Sequence, residues 1–250
     1  MGSPYFRFKQ FTVWHDRCAM KVGTDGVLLG AWAGPGRPGE ISGGSPQTVL
    51  DIGTGSGLVA LMLAQRFPEA QVTGIDSDAE AAAQARENFT GSPWPQRLRA
   101  AHISLQEFCR GTAATAAARR FDLIVSNPPF YDTTLTNPDP LRTAARHTGG
   151  LSHEELLLLS AGLLSDTGVF SLIVPSESEK SILRLADRSR LHLHRLTRVY
   201  SKPSSRPRRI LATFGKISEG PATEETVCLT DADGNRSEWY RKISEEFYLN

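Results

Sequence analysis

The chain has 250 residues, 40% hydrophobic and 22% charged, with a formal net charge of +1, a balance that excludes a disordered polyelectrolyte and gives no global electrostatic reason to bind nucleic acid. No apolar stretch reaches the roughly 18 to 20 residues that cross a bilayer, and the opening MGSPYFRFKQ lacks a signal-peptide core, so a soluble, cytoplasmic protein without a membrane partner is expected. Three scattered cysteines, Cys18, Cys109 and Cys228, argue against a disulfide framework and against a thiolate zinc site, and no metal is expected.

In chain order, residues 1–47 read as an N-terminal extension and linker. They contain KVGTDGVLLGAW, an amphipathic helix capped by Thr24, and a Gly/Pro/Ser-rich loop over 34–47. Residues 48–250 form the main domain. VLDIG (49–53) is its first strand, followed by a glycine turn and the helical pattern SGLVALMLAQRF, which stops before Pro68. QVTGID (71–76) is the second strand. Four helices are predicted to open with S-x-x-E capping boxes: Ser77–Glu80, Ser104–Glu107, Ser152–Glu155 and Ser176–Glu179. RAAHI (99–103), FDLIVS (121–126) and GVFSLIVP (168–175) are strands between them, and the Ala-rich GTAATAAARR continues a surface helix or its exit loop. LHLHRLTRVYS and RRILATFGK form a β-hairpin around SKPSSRPR, and SEWYRKISEEFY is a terminal helix. Strands alternating with helices predict an α/β, mostly parallel sheet with helices on both faces.

The turn DIGTGSG joins strand to helix through Gly53, Gly55 and Gly57, which lets backbone approach a ligand at the helix N-terminus. Leu58 stands where the dinucleotide fingerprint needs glycine, so nicotinamide binding loses support. The remaining G-x-G-x-G after a strand led by Asp51 is the pattern of S-adenosylmethionine (SAM) folds. Asp76, which ends the second strand, is placed to accept both hydroxyls of a ribose; the alternative is a carboxylate that merely opens a turn. Ser104 stands where such folds often carry an adenine-binding Asp, and it also has a full explanation as a helix cap.

SNPPF follows a buried strand with Asn127, Pro128, Pro129 and Phe130. Proline lacks a donor and fixes φ, so the exit is stiff and its carbonyls are free to accept from a ligand. The Asn127 side-chain oxygen and the Pro128 carbonyl can each accept one hydrogen of an exocyclic amine, aiming its lone pair at an electrophile. Phe130 can stack on the ring.

DIGTGSG, GID and SNPPF together resemble a class I SAM-dependent methyltransferase that modifies planar nitrogens. FKQFTVWHDRCAMKVGTDGVLLGAWA, ALMLAQR, AAAQARENF, SNPPFY and ARHT narrow the resemblance to the bacterial valine-tRNA adenine-N6 methyltransferases. That resemblance implies a Rossmann-like, seven-stranded sheet with an antiparallel C-terminal hairpin, SAM as cofactor and tRNA as partner. It also implies a catalytic Asn127-Pro128-Pro129-Phe130 segment, cofactor contacts from Asp51, Gly53, Gly55, Gly57, Asp76 and Asn127, and a Lys21-to-Asp25 stretch, including Thr24, that borders the cofactor pocket. Guanine in ribosomal RNA, a glutamine amide in a translation factor, or a non-catalytic RNA-binding module are the alternatives.

Residues 191–217 carry Arg195, Arg198, Lys202, Arg206, Arg208, Arg209 and Lys216 and no acid, a local charge of +7. Such a run is either a solvated strand surface or a phosphate-binding face. The phosphate reading assigns RNA contacts to Arg198, Lys202, Arg206, Arg208 and Arg209, with Arg142, Arg146 and His147 as further candidates.

Overall fold

The apolar run 121–126 makes a strand buried on both sides, with Leu123 and Val125 in one core and Ile124 in the other. The computed structural model describes residues 3–36, 44–113, 120–128 and 151–249. Within them, one sheet is built from β3 (Thr48–Ile52), β4 (Gln71–Asp76), β5 (Leu98–His102), β6 (Phe121–Ser126), β7 (Leu164–Pro175), β8 (His192–Tyr200), β9 (Pro207–Gly215) and β10 (Thr223–Cys228). A separate hairpin pairs β1 (Tyr5–Arg7) with β2 (Thr12–Trp14).

The large sheet has the order β10-β8-β9-β7-β6-β3-β4-β5. Only the pairs of β9 with β7 and with β8 are antiparallel. The order reverses between β3 and β6, whose ends lie in register, Ile52 opposite Ser126. Ligands of open α/β sheets bind at such a switch point.

Two helical layers cover the sheet. One contains α1 (Thr24–Trp32), α2 (Leu58–Arg66), α3 (Ala79–Thr90) and α7 (Glu238–Ser244); the other contains α4 (Leu105–Ala113), α5 (His153–Leu163) and α6 (Glu179–Arg188). The first layer joins the chain's ends. Val27, Leu28 and Trp32 of α1 share a core with Met62 of α2 and Ile243 and Phe247 at the C-terminal end. The turn between β1 and β2 is held there too, by the Lys9 N–H on the Phe247 carbonyl at 2.8 Å and the Lys9 ammonium on the Glu245 carbonyl at 2.6 Å. The N-terminal segment is therefore part of the main core rather than an appendage to it.

Close approach of α1 to α2 rests on two glycines one helical turn apart. A Cβ on Gly30 would fall 2.7 Å from the Met62 sulfur and one on Gly26 would fall 2.9 Å from Leu58 Cδ2. Arg66 then donates to the carbonyls of Gly30 and Ala33 at 2.9 and 2.6 Å and so satisfies the last turn of α1.

Several sequence expectations need correction. The sheet has eight strands rather than seven, because TEETVC adds β10 parallel to β8, and the β1–β2 hairpin was not expected. The Ser104–Glu107 and Ser152–Glu155 boxes form. The other two do not. Asp78 rather than Ser77 caps α3, accepting from the Glu80 N–H at 2.9 Å, because Asp76 first captures the Asp78 N–H at 2.9 Å and shifts the cap along by one. Ser176 opens a 3-10 turn and donates to the Pro207 carbonyl, while Glu179 is taken by Arg198. Thr24 is the first residue of α1, not its cap; Gly23 holds that position without a side-chain bond.

Candidate active site

The switch point is lined on one side by the loop after β3. Gly53, Gly55 and Gly57 have φ of +70°, +54° and +80°, the left-handed region that disfavours side chains. Their surroundings separate their roles. A Cβ on Gly53 or Gly55 would meet nothing within 4 Å, so both present bare backbone to open space. A Cβ on Gly57 would fall 2.4 Å from the Phe89 ring, so this glycine lets α3 close over the start of α2.

Under the loop lies Asp51, which is 1% exposed. Burial pushes its carboxyl up to about 7 against the opposing hydrogen bonds from Thr54 and the Ala60 backbone. Thr54 Oγ1 donates to Asp51 Oδ2 at 2.7 Å. Gly74 of β4 makes room for Thr54, since a Cβ there would come within 2.6 Å of its hydroxyl.

Asp76 stands half-buried at the end of β4 and accepts the Gly55 and Asp78 N–H groups, each at 2.9 Å. Two amides leave half of a carboxylate's acceptor sites unused. Ile103 donates to the Asp76 carbonyl, which brings Ser104 beside it. The Ser104 hydroxyl is engaged in its own helix cap, donating to Glu107 at 2.6 Å and accepting from the Glu107 N–H.

Across the switch point, Ser126 Oγ donates to the Ile52 carbonyl at 3.0 Å and ties the two strand ends together. Asn127 follows at once. Its Oδ1 is buried and accepts no hydrogen bond among the described residues. An orphaned buried carbonyl oxygen costs about 1 to 3 kcal/mol, which marks it as waiting for a donor. Pro128 is buried beside it. Pro129, Phe130, Arg142, Arg146 and His147 lie outside the described residues.

The N-terminal segment frames this site through residues that the sequence reading passed over. Asn88 of α3, 3% exposed, accepts the Trp14 N–H at 2.9 Å and donates to the carbonyls of Trp14 and of Ser56 at 2.7 and 2.8 Å. Gln84, one turn earlier, accepts the Arg17 N–H at 3.2 Å. The i, i+4 pairing of two amides in AAAQARENF was the available signal. Buried Cys18 lies close enough to Asp76 and Asp78 for their charges to add to the burial that raises its thiol to about 11. Lys21 and Thr24 are exposed, and the first turn of α1 touches Leu58 at the end of the glycine loop.

The basic stretch is less free than its sequence suggests. Arg195 is buried over the Trp32 ring at 3.7 Å, and Lys216 donates to the Leu164 carbonyl. Arg198 is clamped by Glu179 and Glu224 at 2.5 and 2.8 Å, and Arg209 pairs with Asp25 at 2.8 Å. These contacts give Arg198 and Arg209 carboxylate partners within the fold. Lys202, Arg206 and Arg208 remain exposed around the β8–β9 tip, without an acidic partner among the described residues.

Among the described residues no cluster of side chains could hold a metal, and no helix is long and apolar enough to cross a membrane. Residues 42–188 match the methyltransferase small domain family. A tRNA1(Val) (adenine(37)-N6)-methyltransferase of Phocaeicola vulgatus is 45% identical over 250 residues, all of both chains. One of the same name from Cronobacter sakazakii is 41% identical over 98% of this chain and 94% of its own. A solved structure from Agrobacterium tumefaciens, titled a predicted O-methyltransferase, superposes with a TM-score of 0.65 at 17% identity, over 89% of this chain and 96% of that one, and shares the class I methyltransferase fold. The switch-point cradle thus sits in a chain that belongs to the methyltransferase small domain family and, within it, to the family of the bacterial tRNA1(Val) (adenine(37)-N6)-methyltransferases.

Proposed function

We propose that this chain transfers a methyl group from SAM to the exocyclic N6 amine of an adenine in tRNA, at position 37 of valine tRNA as the names of its relatives have it. The observation that carries the reading is the buried, unpartnered Asn127 Oδ1 at the switch point, beside a cradle where Gly53 and Gly55 leave open space. The residues present fit the cofactor. Asp76 has acceptor sites for two ribose hydroxyls, the bare loop admits close contact, and Asp51 fixes the loop from below through Thr54. When bound, SAM supplies an electrophilic methyl on a sulfonium.

The chain's own contribution is orientation. Asn127 Oδ1 accepts one N6 hydrogen and the Pro128 carbonyl the other, which turns the nitrogen lone pair out of conjugation with the ring. Near-attack positioning of this kind is worth roughly 7 to 11 kcal/mol. Phe130 stacks on the base, and the adenine must leave its own stack to arrive there. The methylated amine sheds its surplus proton to water, so no side chain serves as general base. Asp51 is held on Thr54 and is not aimed at the base. Lys21 and Thr24 border the cofactor, Ser104 reaches it only as far as its cap allows, and Lys202, Arg206, Arg208 and Arg146 meet RNA phosphates. A tRNA substrate goes with a cytoplasmic protein.

The test is methyl transfer from labelled SAM to valine tRNA transcripts, followed by nucleoside mass spectrometry. N6-methyladenosine that disappears with Asn127→Ala is expected. Label in guanine, in protein, or undiminished in the variant overturns the reading.

A further inference from the structure

The β1–β2 hairpin turns one face into the core, through buried Val13, and the other face to solvent. On the outer face Tyr5 and Trp14 are cross-strand partners, 43% and 47% exposed, with ring centroids 5.0 Å apart. Arg7, two residues along the strand from Tyr5, shares that face, is exposed, and makes no ion pair among the described residues. The cross-strand ring pair steadies the hairpin by at most about 1 kcal/mol and still leaves close to half of each ring in water. Exposed patches of this kind mark binding sites.

A groove of about 560 Å³ opens between this ribbon and α3, with Thr12, Trp14, Asp16, Arg17, Gln84 and Glu87 among its lining residues. The Arg17–Glu87 ion pair at its side offers both donors and acceptors to a planar ring edge. Residues 3–22 carry four cations, Arg7, Lys9, Arg17 and Lys21, against the carboxylate of Asp16, and Glu87 of α3 neutralises Arg17. The local charge of +2 that remains, with Arg7 on the outer face, complements a polyanion. The ribbon is also continuous with the candidate active site, because one Asn88 side-chain nitrogen donates both to the Trp14 carbonyl and to Ser56 in the glycine loop.

We propose that the outer face of the β1–β2 hairpin is a second RNA contact, on which Tyr5 and Trp14 stack an unpaired nucleobase of the same tRNA while Arg7 meets its phosphate. This rests on the function proposed above. Drawing an adenine out of a loop unstacks its neighbours, and an aromatic platform beside the cofactor loop gives one of them a new stacking partner. The occupant is thus a single-stranded loop nucleotide rather than duplex RNA, whose bases show no free face.

Of the four tryptophans Trp14 is the one that is exposed, Trp94 and Trp239 being half-buried and Trp32 buried, so the difference in fluorescence quenching between the wild type and a Trp14 variant reports on it. In the full-length protein, valine tRNA is expected to shield the exposed tryptophan from acrylamide, and Trp14→Ala is expected to abolish that shielding. Trp14→Ala and Tyr5→Ala should each weaken tRNA binding, read by anisotropy, roughly 5- to 100-fold, the range expected for loss of one base stack. Trp14→Phe should recover most of it, and SAM affinity measured by calorimetry should stay unchanged in all three. Unaltered tRNA affinity in both alanine variants, or a self-association of the protein that depends on Trp14, overturns the proposal. The two readings fail separately. If the wild type methylates no tRNA yet Trp14-dependent binding persists, only the catalytic reading falls; if methylation is normal and binding ignores Trp14, only the hairpin contact does.

Discussion

Gly57 and Phe89 meet so closely that a Cβ on the glycine would lie 2.4 Å from Cε1 of the ring, whereas Gly53 and Gly55, four and two residues earlier, would each send a Cβ into open space. All three have positive φ, so alanine strains the backbone at each. Gly57→Ala must in addition displace a 2%-exposed ring and should cost about 2 to 4 kcal/mol of stability in denaturant unfolding. Gly53→Ala and Gly55→Ala should cost only about 1 kcal/mol while weakening SAM binding at least as much as Gly57→Ala does. Equal stability losses in all three would show that the packing difference is immaterial.

Asp51 makes stability depend on pH. Its folded carboxyl titrates near 7 against an ordinary value of 3.8, so between these limits the folded chain holds the proton more tightly than the unfolded chain. The stabilisation from that proton is complete below about pH 4 and is lost as pH rises through 7. The stability of the wild type minus that of Asp51→Asn should therefore fall by a few kcal/mol between pH 4 and 7 and level off above. A flat difference across that range rules out the buried, raised carboxyl.

Arg198 and the hairpin tip should separate in function. Arg198→Gln breaks the ties to Glu179 and Glu224 and should lower stability by about 1 kcal/mol with little change in tRNA affinity. Replacing Lys202, Arg206 and Arg208 together with alanine should leave stability alone. It should also flatten the salt dependence of tRNA binding by about one unit of log-log slope for each phosphate that is no longer neutralised. An Arg198→Gln variant with a reduced slope would return that residue to the RNA face.

Gly26 and Gly30 give the fourth prediction. The Gly30 Cβ would meet both Met62 Sδ and Met62 Cβ, at 2.7 and 2.8 Å, and the second of these is fixed to backbone; the Gly26 Cβ would meet the movable tip of Leu58. Gly30→Ala should destabilise by about 1 to 3 kcal/mol. Gly26→Ala should be nearly neutral, because the helix-propensity gain of about 1 kcal/mol offsets a small side-chain shift. Thermal melts of the pair provide the comparison, and a larger loss at Gly26 contradicts the packing described.

Central strands were legible from their apolar runs, and QVTGID and FDLIVS match their observed limits. Edge elements were not. TEETVC is polar over its first four residues and β1 and β2 have three residues each, so neither shows an apolar run. The S-x-x-E pattern marks a helix start only when nothing stronger competes. At Ser77 the neighbouring Asp78 competes, and at Ser176 a distant arginine recruits the glutamate. The free charge of the basic stretch was overcounted for the same reason, since Asp25 stands 184 residues from the Arg209 it pairs with and local charge counting cannot see it. Within the site, the glycine loop, Asp76 and Asn127 could be read in sequence because each is a fixed offset from a strand end. Asn88 offered only the i, i+4 amide spacing, because the backbone groups it serves are brought in by the fold.

The bond from the Lys9 amide to the Phe247 carbonyl has a consequence for synthesis. Residues 5–14 are made long before part of the seat for their hairpin, which includes Phe247 and the Tyr248 ring that stacks on Phe8. Until then the ribbon has only part of its apolar support, and contacts of such long sequence separation form slowly. The aromatic face of the hairpin is thus seated only after residue 248 has been made, so a nascent chain that stalls short of that point carries the glycine loop beside a hairpin that is not yet fully supported.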